Sequence, residues 1–249
     1  MAEKPSAKLR LDKMLFEKGL AESREKAKAL ILEGNVLVNG LVVDKAGALV
    51  KPGDALAIKS RMPYVSRGGL KLEDALCHFH INVTNKIAAD VGASTGGFTD
   101  CLLQHHARKV YAIDVGYGQF SWKLRTDDRV VLLEKTNIRY LDNSLIGDII
   151  DLATVDVSFI SLMKVLPKVM EILKPEGDII ALIKPQFEAG RKDVGKGGVV
   201  RDEHKRQEVI ESVQLYSETI GLTTLGVRQS PIKGPKGNIE YLIHLKKNT

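Results

Sequence analysis

From residue 65 onward the chain alternates short apolar runs with segments long enough for a helix, and this alternation constrains the fold more than any other feature. The runs fall at residues 87–91, 110–114, 130–133, 152–157, 179–183, 222–227 and 239–245. Helix-length segments lie at 97–105, 162–173 and 202–220. Strands separated in this way cannot pair as tight hairpins, so they predict an α/β fold with a mostly parallel sheet and helices on both faces. Only turn residues separate the last two runs, which are therefore expected to pair antiparallel.

Residues 8–60 follow a different pattern. Leu9, Leu11, Leu15 and Phe16 suggest a short helix ended by Gly19. Ser23 reads as the N-cap of a second helix carrying Ala27, Leu30 and Ile31 on one face and ending near Gly34. Two β-prone runs flank Asn39-Gly40, a hairpin signal, and a further strand is expected at 55–58. The expected organisation is a small α+β domain over 1–60, a linker at 61–66 and the α/β domain over 67–249. Residues 1–60 hold 11 Lys and Arg against 8 Asp and Glu, half of the chain's +6 formal excess in a quarter of its length. A basic module suits an anionic partner.

No apolar run approaches the roughly 18 residues that span a bilayer, and residues 1–10 lack the apolar stretch of a secretory signal. A cytoplasmic protein with no membrane partner is expected; the residues leave its oligomeric state open. Cys77 and Cys101 have no metal-ligand spacing and read as two small core residues, with no metal expected.

The segment Asp90-Val91-Gly92-Ala93-Ser94-Thr95-Gly96-Gly97-Phe98-Thr99 follows a strand and precedes a helix. Its glycines allow a sharp turn and close ligand approach, and N–H groups at the helix start can bind polar ligand groups. Such a loop serves dinucleotides as well as S-adenosylmethionine. Asp114, ending the second strand, could bond ribose hydroxyls in either case. Asp90, directly before the glycines, follows the methyltransferase pattern. Gly92, Ser94, Gly96, Gly97 and Phe98 complete the expected cofactor contacts, with Asn137 and Arg139, after the third strand, weaker candidates for the adenine side.

Four polar residues stand where a fold has no structural need for them. Lys71 precedes the first strand, Asp156 ends the apolar fourth, Lys184 ends the fifth, and Glu240 begins the last. In open α/β sheets the carboxyl ends of strands form the ligand crevice.

Read in order, Lys71, Asp156, Lys184 and Glu240 resemble the tetrad of ribose 2′-O-methyltransferases related to FtsJ. The runs Arg10-Leu11-Asp12, Gly19-Leu20-Ala21, Ser23-Arg24 and Gly34-Asn35-Val36-Leu37-Val38-Asn39-Gly40 resemble the RNA-binding domain named after small-subunit ribosomal protein four. Together with Ser66-Arg67-Gly68-Gly69, Asp114-Val115-Gly116 and Lys184-Pro185-Gln186-Phe187-Glu188, the chain is similar to the TlyA (haemolysin-A-like) family of rRNA 2′-O-methyltransferases. The resemblance implies a Rossmann-like methyltransferase domain with a seven-stranded sheet and S-adenosylmethionine as cofactor. It also implies ribosomal RNA or ribosomal subunits as partner, cytidine as the modified nucleoside, and the tetrad as catalytic, with Asp156 also near the cofactor. Arg10, Lys13, Arg24, Lys26, Lys28 and Arg67 are the residues expected to contact RNA.

A ribose hydroxyl is a poor nucleophile until its proton is removed or its oxygen stabilised. Lys184 suits either role, as base or as fixed cation, with Lys71 beside it and the carboxylates orienting both. Two rival functions remain: an inactive RNA-binding assembly protein, and a haemolysin. The second follows only from the family's name, since no segment is suited to membrane insertion.

Overall fold

The computed structural model describes residues 8–58, 62–190 and 192–249. They form two compact units that divide after Met62.

The first unit contains β1 (Leu9–Arg10), α1 (Leu11–Glu17), α2 (Arg24–Leu32), β2 (Val36–Val38), β3 (Leu41–Val42), β4 (Leu49–Val50) and β5 (Leu56–Ile58). Ser23 Oγ accepts the Lys26 N–H at 3.2 Å and caps α2, as its sequence position predicts. Asn39 and Gly40 both have positive φ, 50° and 81°, which makes the tight turn between β2 and β3. β5 pairs on the other side of β2. The β1–β4 pair, two residues per strand, was not anticipated; strands this short have no periodicity to read. Leu11, Leu15, Ala27, Ile31 and Val36 are fully buried and form the core.

Asp12 is also fully buried. It accepts from Arg10 Nε and Arg24 Nη2, each at 3.0 Å, and the bond from Arg10 leads the causes that hold its carboxyl at about 2. Two of the cations expected to face RNA are therefore engaged within the unit.

The second unit contains α3 (Gly68–His78), β6 (Ile87–Val91), α4 (Gly97–Gln104), β7 (Lys109–Ile113), α5 (Trp122–Arg125), β8 (Val130–Leu133), β9 (Ile150–Val155), α6 (Leu166–Ile172), β10 (Leu173–Ile183), α7 (Pro185–Glu188), α8 (Glu203–Thr219), β11 (Leu222–Gln229) and β12 (Tyr241–Lys247). The strands form one seven-stranded sheet in the order β11-β12-β10-β9-β6-β7-β8. Pairing is parallel from β10 to β8, while β12 runs antiparallel to both its neighbours, as expected for the last two runs.

The two-residue alternation of the strands sends side chains into two cores. Ala89, Val91, Ala153, Val155, Ala181 and Ile183 pack with Leu166 and Val169 of α6 and Ile210 and Val213 of α8. Ala88, Leu152, Ile180 and Leu182 pack with Leu72 and Leu76 of α3 and Leu102 of α4. The central strands read as unbroken apolar runs because both faces are covered.

Several expectations need correction. Cys77 is exposed at the end of α3 and only Cys101 lies in a core. Glu240 precedes β12 by one residue rather than beginning it, and Asp114, Asp156 and Lys184 each follow the last residue of β7, β9 and β10 rather than ending those strands. Lys71 stands on a helix, α3, rather than in a loop before β6. Among the described residues no helix is long and apolar enough to cross a membrane.

Candidate active site

Chain order reverses at β6: β7 and β8 extend the sheet on one side, β9 and β10 on the other. The carboxyl ends of β6 and β9 thus border the crevice where ligands bind in such sheets. The Asp156 N–H donates to Val91 O at 2.9 Å and holds these two ends together. Gly92, at φ 86°, lies so close that a Cβ would collide with the Asp156 carbonyl. The Gly92 N–H donates to Ile113 O at 2.8 Å, which ties the turn to β7 as well.

The rest of the loop sets the start of α4 against α3. Gly96 has φ 95°, and a side chain there would run into Leu124 and Phe120. Gly97 faces Ser66 and Gly69, and Gly69 in turn packs on the Tyr64 ring. Asp100 Oδ2 accepts the Val65 N–H at 2.8 Å. Residues 64–69 are therefore fastened to α4, and the first turn of α3, carrying Lys71, is placed over the glycine loop.

The tetrad meets here. Lys71 Nζ donates to Glu240 Oε2 at 2.6 Å, across 169 residues of sequence. Lys184 Nζ lies 2.5 Å from Asp156 Oδ1, an ion pair without hydrogen-bond alignment, and donates to Ser158 Oγ at 2.9 Å. All four side chains line one cavity of about 300 Å³ together with Gly92, Ser94, Gly97, Phe98, Lys233 and Gly234. Arg67, exposed, lines it too. Glu240 Oε1 is buried with no hydrogen-bond partner among the described residues. Gly234 covers that carboxylate so closely that a Cβ would strike it.

A larger cavity of about 770 Å³ adjoins the first, sharing Gly92, Ser94 and Asp156 as lining residues. Asp114, Gln119, Asn137, Ile138 and Arg139 line it on one side, Val157, Phe159 and Phe187 on the other. Asp114 is held by the glycine loop and by its own: Oδ2 accepts from Ser94 N at 2.7 Å, and Oδ1 from Gly116 N at 2.6 Å and Gln119 Nε2 at 3.1 Å. The Asn137 side chain accepts the Arg139 N–H at 3.2 Å. Phe159, at φ 63° and 90% exposed, stacks on Phe187 with ring centroids 5.0 Å apart.

Asp90 and Gly96 line neither cavity. Asp90 is fully buried beneath the loop, where Oδ2 accepts from Thr99 Oγ1 at 2.7 Å and Oδ1 from Thr154 Oγ1 at 3.1 Å. Burial pushes its carboxyl up to about 7, opposed by those two hydroxyls. Its place is structural: it ties β6 to α4 and β9 under the turn. Ser158, Gly234, Phe159 and Gln119 belong to the site and were not singled out from sequence. Ser158, two residues after Asp156, and the Gly234-Pro235 turn before Glu240 were the available signals. Burial pushes the Cys101 thiol up to about 12, which leaves no nucleophilic thiolate there.

The strand order with its single antiparallel insertion, and the glycine turn at the point of reversal, define a methyltransferase fold. The chain belongs to the FtsJ-like methyltransferase family, which it matches over residues 64–247, and residues 9–56 match the S4 domain. It is 45% identical to the 16S/23S rRNA (cytidine-2′-O)-methyltransferase TlyA of Mycobacterium tuberculosis, over 96% of this chain and 90% of that one. It is 46% identical to Hemolysin A of Brachyspira hyodysenteriae, over 95% and 99%. Among solved structures, a candidate hemolysin from Streptococcus thermophilus superposes with a TM-score of 0.76 at 45% identity, covering 97% of this chain and 89% of that one.

Proposed function

We propose that the protein transfers the methyl group of S-adenosylmethionine to a ribose 2′-hydroxyl of ribosomal RNA, with cytidine the expected nucleoside. One observation carries the reading: Lys71, Asp156, Lys184 and Glu240 line a single cavity that opens beside the glycine turn and shares a wall with the larger one.

The residues of the larger cavity fit the cofactor. Asp114 keeps acceptor capacity for ribose hydroxyls beyond its two backbone bonds and the Gln119 bond, Asn137 and Ile138 would take the adenine, and Gly92 leaves the room a side chain would fill. Asp156 borders both cavities. When bound, S-adenosylmethionine supplies an electrophilic methyl group, so the protein need only prepare the oxygen. Lys184, held by Asp156 and Ser158, is placed to take the hydroxyl proton or to stand as a cation beside the forming alkoxide. Lys71, held by Glu240, adds a second positive charge to the same cavity. Neither role for Lys184 needs a metal, and the described residues contain no cluster suited to one.

The test is transfer of labelled methyl from S-adenosylmethionine to ribosomal subunits that lack the modification. Label should enter rRNA, and the 2′-O-methyl should block alkaline cleavage at one or a few positions. No incorporation, or label on a base, would refute the proposal.

The first unit would supply RNA affinity. Arg10 and Arg24 are committed to Asp12, and Lys13 pairs with Glu17 at 3.5 Å. Lys26 and Lys28 are exposed on α2 without an ion pair among the described residues. They are the cleaner probes, since Arg24→Glu would set a carboxylate against buried Asp12. Lys26→Glu with Lys28→Glu should weaken rRNA binding by about tenfold or more and flatten the log–log salt slope by about 1–2, because each phosphate contact contributes roughly 0.9. The melting temperature should not move. An unchanged slope would take α2 out of the RNA interface.

A further inference from the structure

Lys71 and Glu240 come from elements with no covalent link near the site, yet their charged atoms must meet within 2.6 Å. Something must fix the rotation and height of α3 over the β11–β12 ribbon. Below the site, Asp74, one helical turn after Lys71, takes a bidentate pair from Arg228 of β11. Nε reaches Oδ2 at 2.6 Å and Nη2 reaches Oδ1 at 2.9 Å. Arg228 Nη1 also lies 2.9 Å from His78 Nδ1, a further turn along the same helix face.

The spacing is the argument. Arg228 stands opposite Leu242 in the ladder, two residues beyond Glu240. One step further, Gly226 stands opposite His244. Phe79 covers this pair: its ring stacks on His244 at 5.4 Å, and a Cβ on Gly226 would come within 2.9 Å of it. Two residues of strand advance about 6.8 Å, and three or four of helix advance about 4.5–6 Å. Positions 71, 74 and 78–79 thus run alongside 240, 242 and 244. Of these three levels, the top is the Lys71–Glu240 pair, the bottom is the Phe79 ring against His244, which is itself bonded to Asp178 at 3.0 Å, and the middle is a planar fork that tolerates little rotation.

We propose that Asp74 and Arg228 are positioning residues that set the Lys71–Glu240 pair in register with the cavity. This rests on the methyl-transfer reading above. The pair is only partly buried, with side chains 21% and 39% exposed, so water can reach the partner left behind and its loss costs stability far less than that of a buried pair. Its loss should therefore be felt in turnover rather than in folding.

The experiment compares the full-length protein with Asp74→Asn, Arg228→Gln, Arg228→Lys and the exchanged pair Asp74→Arg/Arg228→Asp. Turnover, KM for rRNA, S-adenosylmethionine affinity and melting temperature are read for each. The first two should lower kcat by about five- to twentyfold, as misplacement of a reacting group does. KM and cofactor affinity should stay within about twofold of wild type. Arg228→Lys should recover part of the loss and the exchanged pair most of it. Wild-type turnover in both single variants would overturn the proposal. So would a loss that the exchanged pair fails to restore although it folds, or one that tracks the melting temperature. If the wild-type protein itself transfers no methyl group, the proposed function fails first, and the positioning role falls with it.

Discussion

Lys184→Ala is expected to fold, to bind S-adenosylmethionine with near wild-type affinity, and to lose methyl transfer by at least about 10²–10⁴-fold, the range for removing a general base or a preorganised charge. The side chain lines only the smaller cavity, so the larger one keeps its contacts. The change leaves Asp156 without its cation. Asp156 is 22% exposed, so water can reach it, and the cost falls short of the 3–5 kcal/mol typical of a fully buried broken pair. A melting temperature a few degrees lower is the expected trace. Calorimetric titration with S-adenosylmethionine and single-turnover transfer separate binding from chemistry. An active Lys184→Ala protein would dismiss the tetrad. Lys184→Arg distinguishes the two roles open to the lysine: a guanidinium keeps the charge but cannot serve as a base. Substantial turnover in Lys184→Arg favours the fixed cation, and none, with cofactor affinity intact, favours the proton acceptor.

What the sequence disclosed, and what it hid, follows from which interactions are local. The glycine loop was legible because a strand, a sharp turn and a helix start are consecutive. The central strands were legible because burial on both faces leaves continuous apolar runs. The polar residues at strand ends stood out against that background. α3 opens on Gly68-Gly69, poor helix formers, and these masked a helix that Leu70-Lys71-Leu72-Glu73-Asp74-Ala75-Leu76 does signal, with Leu72, Ala75 and Leu76 at helical spacing on its buried face. Asp90 reads as a ligand contact because of its place before the glycines. Strand alternation instead turns it to the face of Ala88, where Thr99 and Thr154 wait. Arg10 and Arg24 read as phosphate contacts, and only the packing of α1 on α2 reveals that both also pair with a buried carboxylate, Asp12. Charge alone does not distinguish a cation facing solvent from one already engaged.

Gly92→Ala should be damaging to both fold and cofactor binding. Two independent costs meet at this position. At φ 86° an alanine is strained by about 1–2 kcal/mol, and its Cβ would collide with the Asp156 main-chain carbonyl. The second cost cannot be relieved locally, because Asp156 N is bonded to Val91 O and Gly92 N to Ile113 O, so the methyl has to part the ends of β6 and β9. That displacement acts on Asp156, which borders both cavities. A destabilisation of about 2–4 kcal/mol is expected, with a loss of S-adenosylmethionine affinity of at least about tenfold. Gly118→Ala is the matching control. Gly118 has a similar φ, 74°, but open space where its Cβ would lie, and it lines neither cavity. That variant should carry only the strain term and leave cofactor affinity nearly unchanged. The difference between the two proteins, measured by denaturant unfolding and by calorimetric titration, therefore isolates the steric term at the crevice. Equal losses in both would mean that backbone strain alone accounts for the glycine, and that the close approach of the two strand ends contributes nothing to cofactor binding.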